Sequence, residues 1–196
     1  MCFKLCRDPG GLLNLGRAGD HRKETNLSAS VLVAYATRYG STREVAETIA
    51  ATLQESGLAA DCLSAREAHT LEGYSAVVLG APLQMFRWHD DAKQFLSRHR
   101  QALMERPAAV FALGPFHVEA KEFEEARAQL DKELLKFPWF APAAIEIFGG
   151  KFDPTTLRFP MNLMPGLKQM PVNDIRDWPA IRAWASSLVG LLQPKR

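Results

Sequence analysis

Six consecutive residues, Thr37-Arg38-Tyr39-Gly40-Ser41-Thr42, bring three aliphatic hydroxyls and a glycine to the start of a helical pattern. Short hydroxyls and the free amides of a helix end are neutral donors that can hold a phosphate, helped by the positive end of the helix dipole. The glycine lets the backbone come close to such a ligand. Rival phosphate loops are missing here: neither Gly-x-Gly-x-x-Gly nor Gly-Lys-Ser/Thr follows the apolar run at 31–36. No acidic cluster ends that run, which excludes a phosphoacceptor receiver domain. The plainer alternative is an ordinary strand-to-helix turn with a good cap. Two later loops also carry reactive side chains. Residues 81–89 hold Arg87, Trp88 and His89, and residues 113–117 end in His117. Arg87 could pair with a ligand's carboxylates or with a structural acid. His117 could relay a proton near neutral pH or be a plain surface histidine, and the same choice applies to His89. Arg87 and His117 are therefore the candidate catalytic residues.

Each of these loops follows an apolar run. Val31-Leu32-Val33-Ala34-Tyr35-Ala36 is continuous, as expected of a strand covered on both faces of a parallel sheet. A helix is expected next, with Ser41 as N-cap, Glu44 completing a capping box, Val45, Ile49 and Leu53 as its inward stripe, and Gly57 at its end. Further strands are expected at 59–63, 76–80, 108–113 and 143–148. Helices are expected at 91–104 and at 120–135, the latter turning Phe123, Ala126, Leu130 and Leu134 inward. A last helix starts at Asp177 as N-cap and runs through Ile181, Trp184 and Leu188. Five strands alternating with helices require a doubly wound parallel α/β sheet in a single domain, with ligands beyond the carboxyl ends of the strands. Residues 149–173 break the rhythm as a long insertion before the last helix, with four prolines and three methionines. Residues 1–30, with Gly10, Gly11, Gly16 and Gly19 among scattered charges, are expected to be a flexible extension ahead of a domain at 31–192.

At this point the residues carry a resemblance. Thr-x-x-Gly-x-Thr after an apolar strand resembles the flavodoxin loop that holds the 5′-phosphate of FMN. The fuller run Thr37 to Glu44 resembles a narrower branch, the menaquinone-dependent protoporphyrinogen IX dehydrogenases. Val78-Leu79-Gly80-Ala81-Pro82 with Arg87-Trp88-His89, Phe95-Leu96-Ser97-Arg98-His99-Arg100, and Asp177-Trp178 are similar to that branch as well. The likeness spans roughly residues 31–190 and implies a flavodoxin-like fold of strand order 2-1-3-4-5 with one FMN held non-covalently. Tyr39 departs from the threonine of ordinary flavodoxins. For the cofactor it implies three groups of residues: Thr37, Arg38, Tyr39, Gly40, Ser41 and Thr42 at the phosphate; Pro82, Leu83, Gln84, Met85, Phe86, Arg87 and Trp88 against the ring; and Gly114, Pro115, Phe116 and His117 near its pyrimidine edge. Phe86 or Trp88 could stack on the ring or pack under the loop. The branch's reaction would move hydride or electrons from a reduced tetrapyrrole to the flavin, with a quinone reoxidising it, over three cycles. A flavodoxin-type electron carrier, an NAD(P)H:quinone reductase of the same fold, and a regulatory module that has lost FMN are the alternatives. In the insertion, Lys151, Arg158 and Lys168 outnumber Asp153 among Phe, Met and Leu. That mixture could hold propionates, rest on a membrane surface, or fold back on the body.

Charge and composition narrow the partners. Residues 1–30 hold five Lys/Arg against three Asp/Glu, which leaves nineteen of each in the rest of the chain. A neutral body is a poor nucleic-acid ligand and an unlikely electron shuttle of the kind steered by an acidic face. No apolar run approaches the ~20 residues of a spanning helix, and no apolar stretch of signal-peptide length follows Met1. Cys2, Cys6 and Cys62 have neither metal-ligand nor redox spacing, so no metal is expected and a reducing, cytoplasmic setting is, with contact at the inner membrane face through the insertion.

Overall fold

The computed structural model describes residues 30–84, 87–157 and 161–192, apart from the side chains of 161, 165 and 167. The flexible extension expected at 1–30 lies outside the described residues except for Ser30, which already opens the first strand.

Strands β1 (Ser30–Tyr35), β2 (Ala59–Ser64) and β3 (Ala76–Gln84) are followed by a short β4 (Arg87–Trp88), then by β5 (Ala108–Leu113) and β6 (Ala144–Phe148). Helices α1 (Ser41–Glu55), α2 (Asp90–Arg98), α3 (Arg100–Met104) and α4 (Ala120–Leu134) lie between them. After β6 come β7 (Lys151–Phe152), the short α5 (Pro165–Lys168), β8 (Asn173–Asp174), α6 (Trp178–Ser187) and α7 (Val189–Leu192). The parallel sheet has five strands in the order β2-β1-β3-β5-β6, the doubly wound arrangement expected. The order reverses between β1 and β3, which places a switch point at their carboxyl ends.

Period-two alternation splits β1 between two cores. Val31 and Val33 join Val45, Ile49, Leu53, Phe111, Ile181 and Leu188 under α1 and α6. Leu32 and Ala34 join Leu79, Phe95, Leu96 and Leu130 under α2 and α4. Both faces are covered, so the strand must be apolar at every position.

Three local expectations need correction. Gly40 is the N-cap of α1, at φ 95°, without a side-chain cap; Ser41 is already helical, so no capping box forms. Thr37 Oγ1 instead accepts from the Gly40 amide at 2.9 Å, and the Glu44 carboxylate is taken by Arg176 at 2.7 Å. The helix expected at 91–104 breaks at His99, whose buried ring lies 2.9 Å from the Ala68 carbonyl. The second loop is partly strand: β3 continues to Gln84, and its Leu83 and Gln84 pair antiparallel with Trp88 and Arg87 of β4. At the base of the insertion, β7 and β8 pair antiparallel.

Candidate functional site

The carboxyl ends of β1, β3, β5 and β6 converge on a cavity of about 240 Å³. Its inner walls come from the three loops that the sequence singled out: Thr37, Arg38, Tyr39 and Ser41; Pro82, Leu83 and Gln84; and Leu113, Gly114 and Phe116. Its outer wall comes from the start of the insertion, Gly150 to Asp153 with Thr156 and Leu157.

The first loop is built for a ligand at its amides. The Glu44 amide makes the first intrahelical bond, to the Gly40 carbonyl at 3.2 Å. The amides of Ser41, Thr42 and Arg43 precede it and have no carbonyl of their own helix to meet. Thr42 is fully buried, yet its Oγ1 finds no partner among the described residues. A buried hydroxyl without a bond costs roughly 1–3 kcal/mol, so its presence in the first helical turn calls for an acceptor that binds there. Arg38, which lines the cavity, has its guanidinium 5.6 Å from the centroid of the Tyr39 ring.

The third loop is held from three sides. Glu122 accepts from the amides of Phe116 and His117, at 3.2 and 3.1 Å, and meets His117 Nδ1 at 2.6 Å. The His117 bond is the main influence holding the Glu122 carboxyl below its ordinary range. Gly150 donates to the Pro115 carbonyl at 2.7 Å, and Asn173 donates its side-chain amide to the Phe116 carbonyl. Phe152 meets the Phe116 ring edge-on, with centroids 6.4 Å apart. On the outer wall, Asp153 Oδ1 accepts from the Thr155 hydroxyl at 2.6 Å and the Thr155 amide at 2.9 Å, and those bonds keep its carboxyl low.

Several expected site residues fall elsewhere. Gly40, the half-buried cap of α1, and Thr42, fully buried, do not line the cavity. Trp88 is a core side chain, 1% exposed and packed among Leu79, Phe95 and Leu96, so it offers no face to the cavity. Arg87 is exposed in β4, Pro115 is buried, and His117 is turned to Glu122; none of the three lines the cavity. Met85 and Phe86 lie outside the described residues. His89 caps α2, its Nδ1 accepting from the Asp91 amide at 3.2 Å, and burial pushes its pKa down. From the insertion the sequence singled out Lys151, which lines the cavity, but not Gly150, Phe152, Thr156 or Leu157 beside it. The signal was Gly149-Gly150 directly after the edge strand. A Cβ at Gly149 would lie 2.3 Å from the Ile175 carbonyl oxygen, and one at Gly150 3.1 Å from that of Pro115.

The model of the flavodoxin domain matches residues 32–164, most of the sheet and the first part of the insertion. The chain belongs to the flavodoxin-domain family. The oxidised Flavodoxin 1 of Bacillus cereus is similar in fold, with TM-score 0.54 and 19% identity over 84% of this chain and all of that one. So is a short-chain flavodoxin associated with a bacterial microcompartment, with TM-score 0.55 and 14% identity over 84% and 99% of the two chains. Protoporphyrinogen IX dehydrogenase (quinone) of Escherichia coli K12 is 30% identical over 108 residues, 54% of this chain and 58% of that protein. The chain thus spans less than two thirds of the curated relatives it matches.

A flavodoxin domain is a flavoprotein domain, and its cofactor is FMN. The site fits that group. Neutral donors with one orphaned hydroxyl suit a phosphate ester, with Arg38 at the same wall, and the cavity between the second and third loops is open to a flat ring.

Proposed function

We propose that this flavodoxin domain is an FMN-dependent oxidoreductase that oxidises protoporphyrinogen IX, with a quinone as electron acceptor. The observation that carries the reading is the outer wall of the cavity. Lys151, Phe152, Thr156 and Leu157 stand across from the loops that would hold the flavin, leaving a largely apolar slot with Lys151 on this wall and Arg38 on the facing one. An electron carrier that passes electrons at an exposed ring edge has no need of such a wall. A flat substrate bearing carboxylates does. The partial likeness to protoporphyrinogen IX dehydrogenase supports the same substrate class, and the equal count of acids and bases in residues 31–196 speaks against a carrier steered by an acidic face.

In this reading the first-turn amides with Ser41 and Thr42 hold the phosphate, and Pro82 to Gln84 together with Gly114 and Phe116 lie against the ring. Bound FMN supplies a two-electron acceptor. The chain's own contribution is to position and to exclude water. Glu122 fixes the amides of Phe116 and His117, and Phe152 closes the slot over Phe116. Lys151 is placed to hold a carboxylate. Neither Arg87 nor His117 is needed at the reacting atoms.

Among the described residues no helix is long and apolar enough to cross a membrane. The excursion beyond β7 instead exposes Leu163, Met164, Met170 and Val172, which supports contact with a lipid surface carrying the quinone. Flotation with vesicles should be lost when Leu163 and Met170 are both changed to Asp; flotation unchanged by the double substitution rules this contact out.

The direct test is anaerobic mixing of FMN-loaded protein with protoporphyrinogen IX, with and without a soluble menaquinone analogue, read by porphyrin fluorescence. Quinone-dependent porphyrin formation is expected. Bound flavin with no porphyrin formed would overturn the substrate assignment and leave the flavoprotein.

A further inference from the structure

Arg176 belongs to none of the loops discussed so far, yet its side chain is 2% exposed and carries a dense set of contacts. Its Nε and Nη2 donate to the two carboxylate oxygens of Asp174 at 2.8 and 2.6 Å, a bidentate fork. Its Nη1 donates to Glu44 Oε2 at 2.7 Å and to the Ser41 carbonyl at 3.3 Å. Its guanidinium lies 4.6 Å above the Trp178 ring. The two anchors lie in different parts of the fold. Ser41 and Glu44 are the first turn of α1, the end that presents its amides to the phosphate site. Asp174 is in β8, paired to Lys151 of β7, and the Ile175 amide donates to the Gly150 carbonyl at 3.1 Å. One buried cation therefore ties the phosphate loop to the base of the ribbon that forms the outer wall of the cavity.

We propose that Arg176 is a positioning residue that couples occupation of the phosphate site to the seating of the β7–β8 wall. The proposal rests on the flavin reading above and adds a device to it. A phosphate on the amides of the first turn holds Ser41 and Glu44 in place. Through the fork this holds Asp174, and through the strand pairing it holds Lys151 and Phe152. Linkage makes the coupling reciprocal: a well-seated wall tightens the phosphate site by the same factor. Ligands with the flavin ring but no phosphate should not engage it.

The test compares FMN with riboflavin on the whole chain, by flavin fluorescence titration and by hydrogen exchange of the amides in 150–152 and 173–176. In the wild type FMN should slow exchange there about fivefold or more beyond riboflavin. Two variants cut the clamp at opposite ends, Glu44→Gln at the helix and Asp174→Asn at the ribbon. Both carboxylates reach the surface, 48% and 34% exposed, so the fold should survive either change. Each should bring the two flavins to within about twofold in protection and weaken FMN binding while leaving riboflavin binding unchanged. The direction is decisive. Removing an acid near a phosphate strengthens FMN binding if only the field matters. Stronger FMN binding in both variants, or equal protection by both flavins in the wild type, overturns the clamp and leaves the flavin site standing. Binding of neither flavin by the wild type overturns the flavin reading and the clamp with it.

Discussion

Thr42 holds the sharpest conflict between stability and function in the chain. Its hydroxyl is buried and unpartnered among the described residues, a cost of roughly 1–3 kcal/mol until an acceptor arrives. Thr42→Val removes the hydroxyl at nearly constant shape. It should raise the melting temperature of the flavin-free protein and weaken FMN binding about tenfold, two effects of opposite sign. Melting curves with and without FMN check both; a fall in the flavin-free melting temperature would mean that the hydroxyl has a structural partner. Side chains at this scale were legible where chemistry is local. The donors of 37–42 could be picked out because hydroxyls, glycine and a helix start are neighbours in sequence. Trp88, His89 and His117 could not be assigned, because whether an aromatic ring or an imidazole packs, caps or faces a ligand depends on contacts far along the chain. Burial claims Trp88, the α2 amide claims His89 and Glu122 claims His117. Arg176 gave no local signal, since one of its anchors lies 132 residues away.

The elements were read more securely than the residues. Continuous apolar runs marked the central strands β1, β3 and β5, because a strand covered on both faces tolerates few polar positions, whereas the edge strands β2 and β6 carry Asp61 and Glu146. Asp177 was legible as a cap and serves as one, its Oδ1 accepting from the Ala180 amide at 2.9 Å. Short elements escaped: β4, β7 and β8 have two residues each, too few for any period to show. The capping box failed because Arg176, not a backbone amide, takes the Glu44 carboxylate. Close approach of strand and ring is a property of β3 that composition alone does not give. A Cβ at Gly80 would lie 1.9 Å from Phe111 Cζ, and that ring is fully buried. Gly80→Ala should therefore destabilise the fold by about 1–3 kcal/mol, with most of the loss recovered when Phe111→Leu is added. Denaturant midpoints of the two variants decide it, and a Gly80→Ala midpoint equal to wild type would refute the packing assigned here.

At the scale of the whole molecule, acid should weaken the fold over two separate pH windows. Burial pushes His89 and His99 below their ordinary value of 6.5, so the unfolded chain binds protons that the folded one resists. Their contribution is full above that value and is lost as the pH falls through the window beneath it. The bonds from Lys93 to Asp90 and from Arg176 to Asp174 hold those carboxyls below 3.8, so their contribution is present above that value and disappears as the pH drops further. Urea midpoints should fall as the pH drops below about 6.5 and again below about pH 4, and a midpoint that rises on mild acidification would contradict the histidine assignment. The orphaned Thr42 hydroxyl and the free first-turn amides support one proposal: a flavin held by its phosphate at the end of β1. The most direct measurement is a titration of the flavin-free protein with FMN, followed by flavin fluorescence, in the wild type and in Thr42→Val. The wild type should bind one FMN per chain, and the variant should bind it about tenfold more weakly. No binding by the wild type, or undiminished binding by the variant, would contradict the phosphate site on which the account stands.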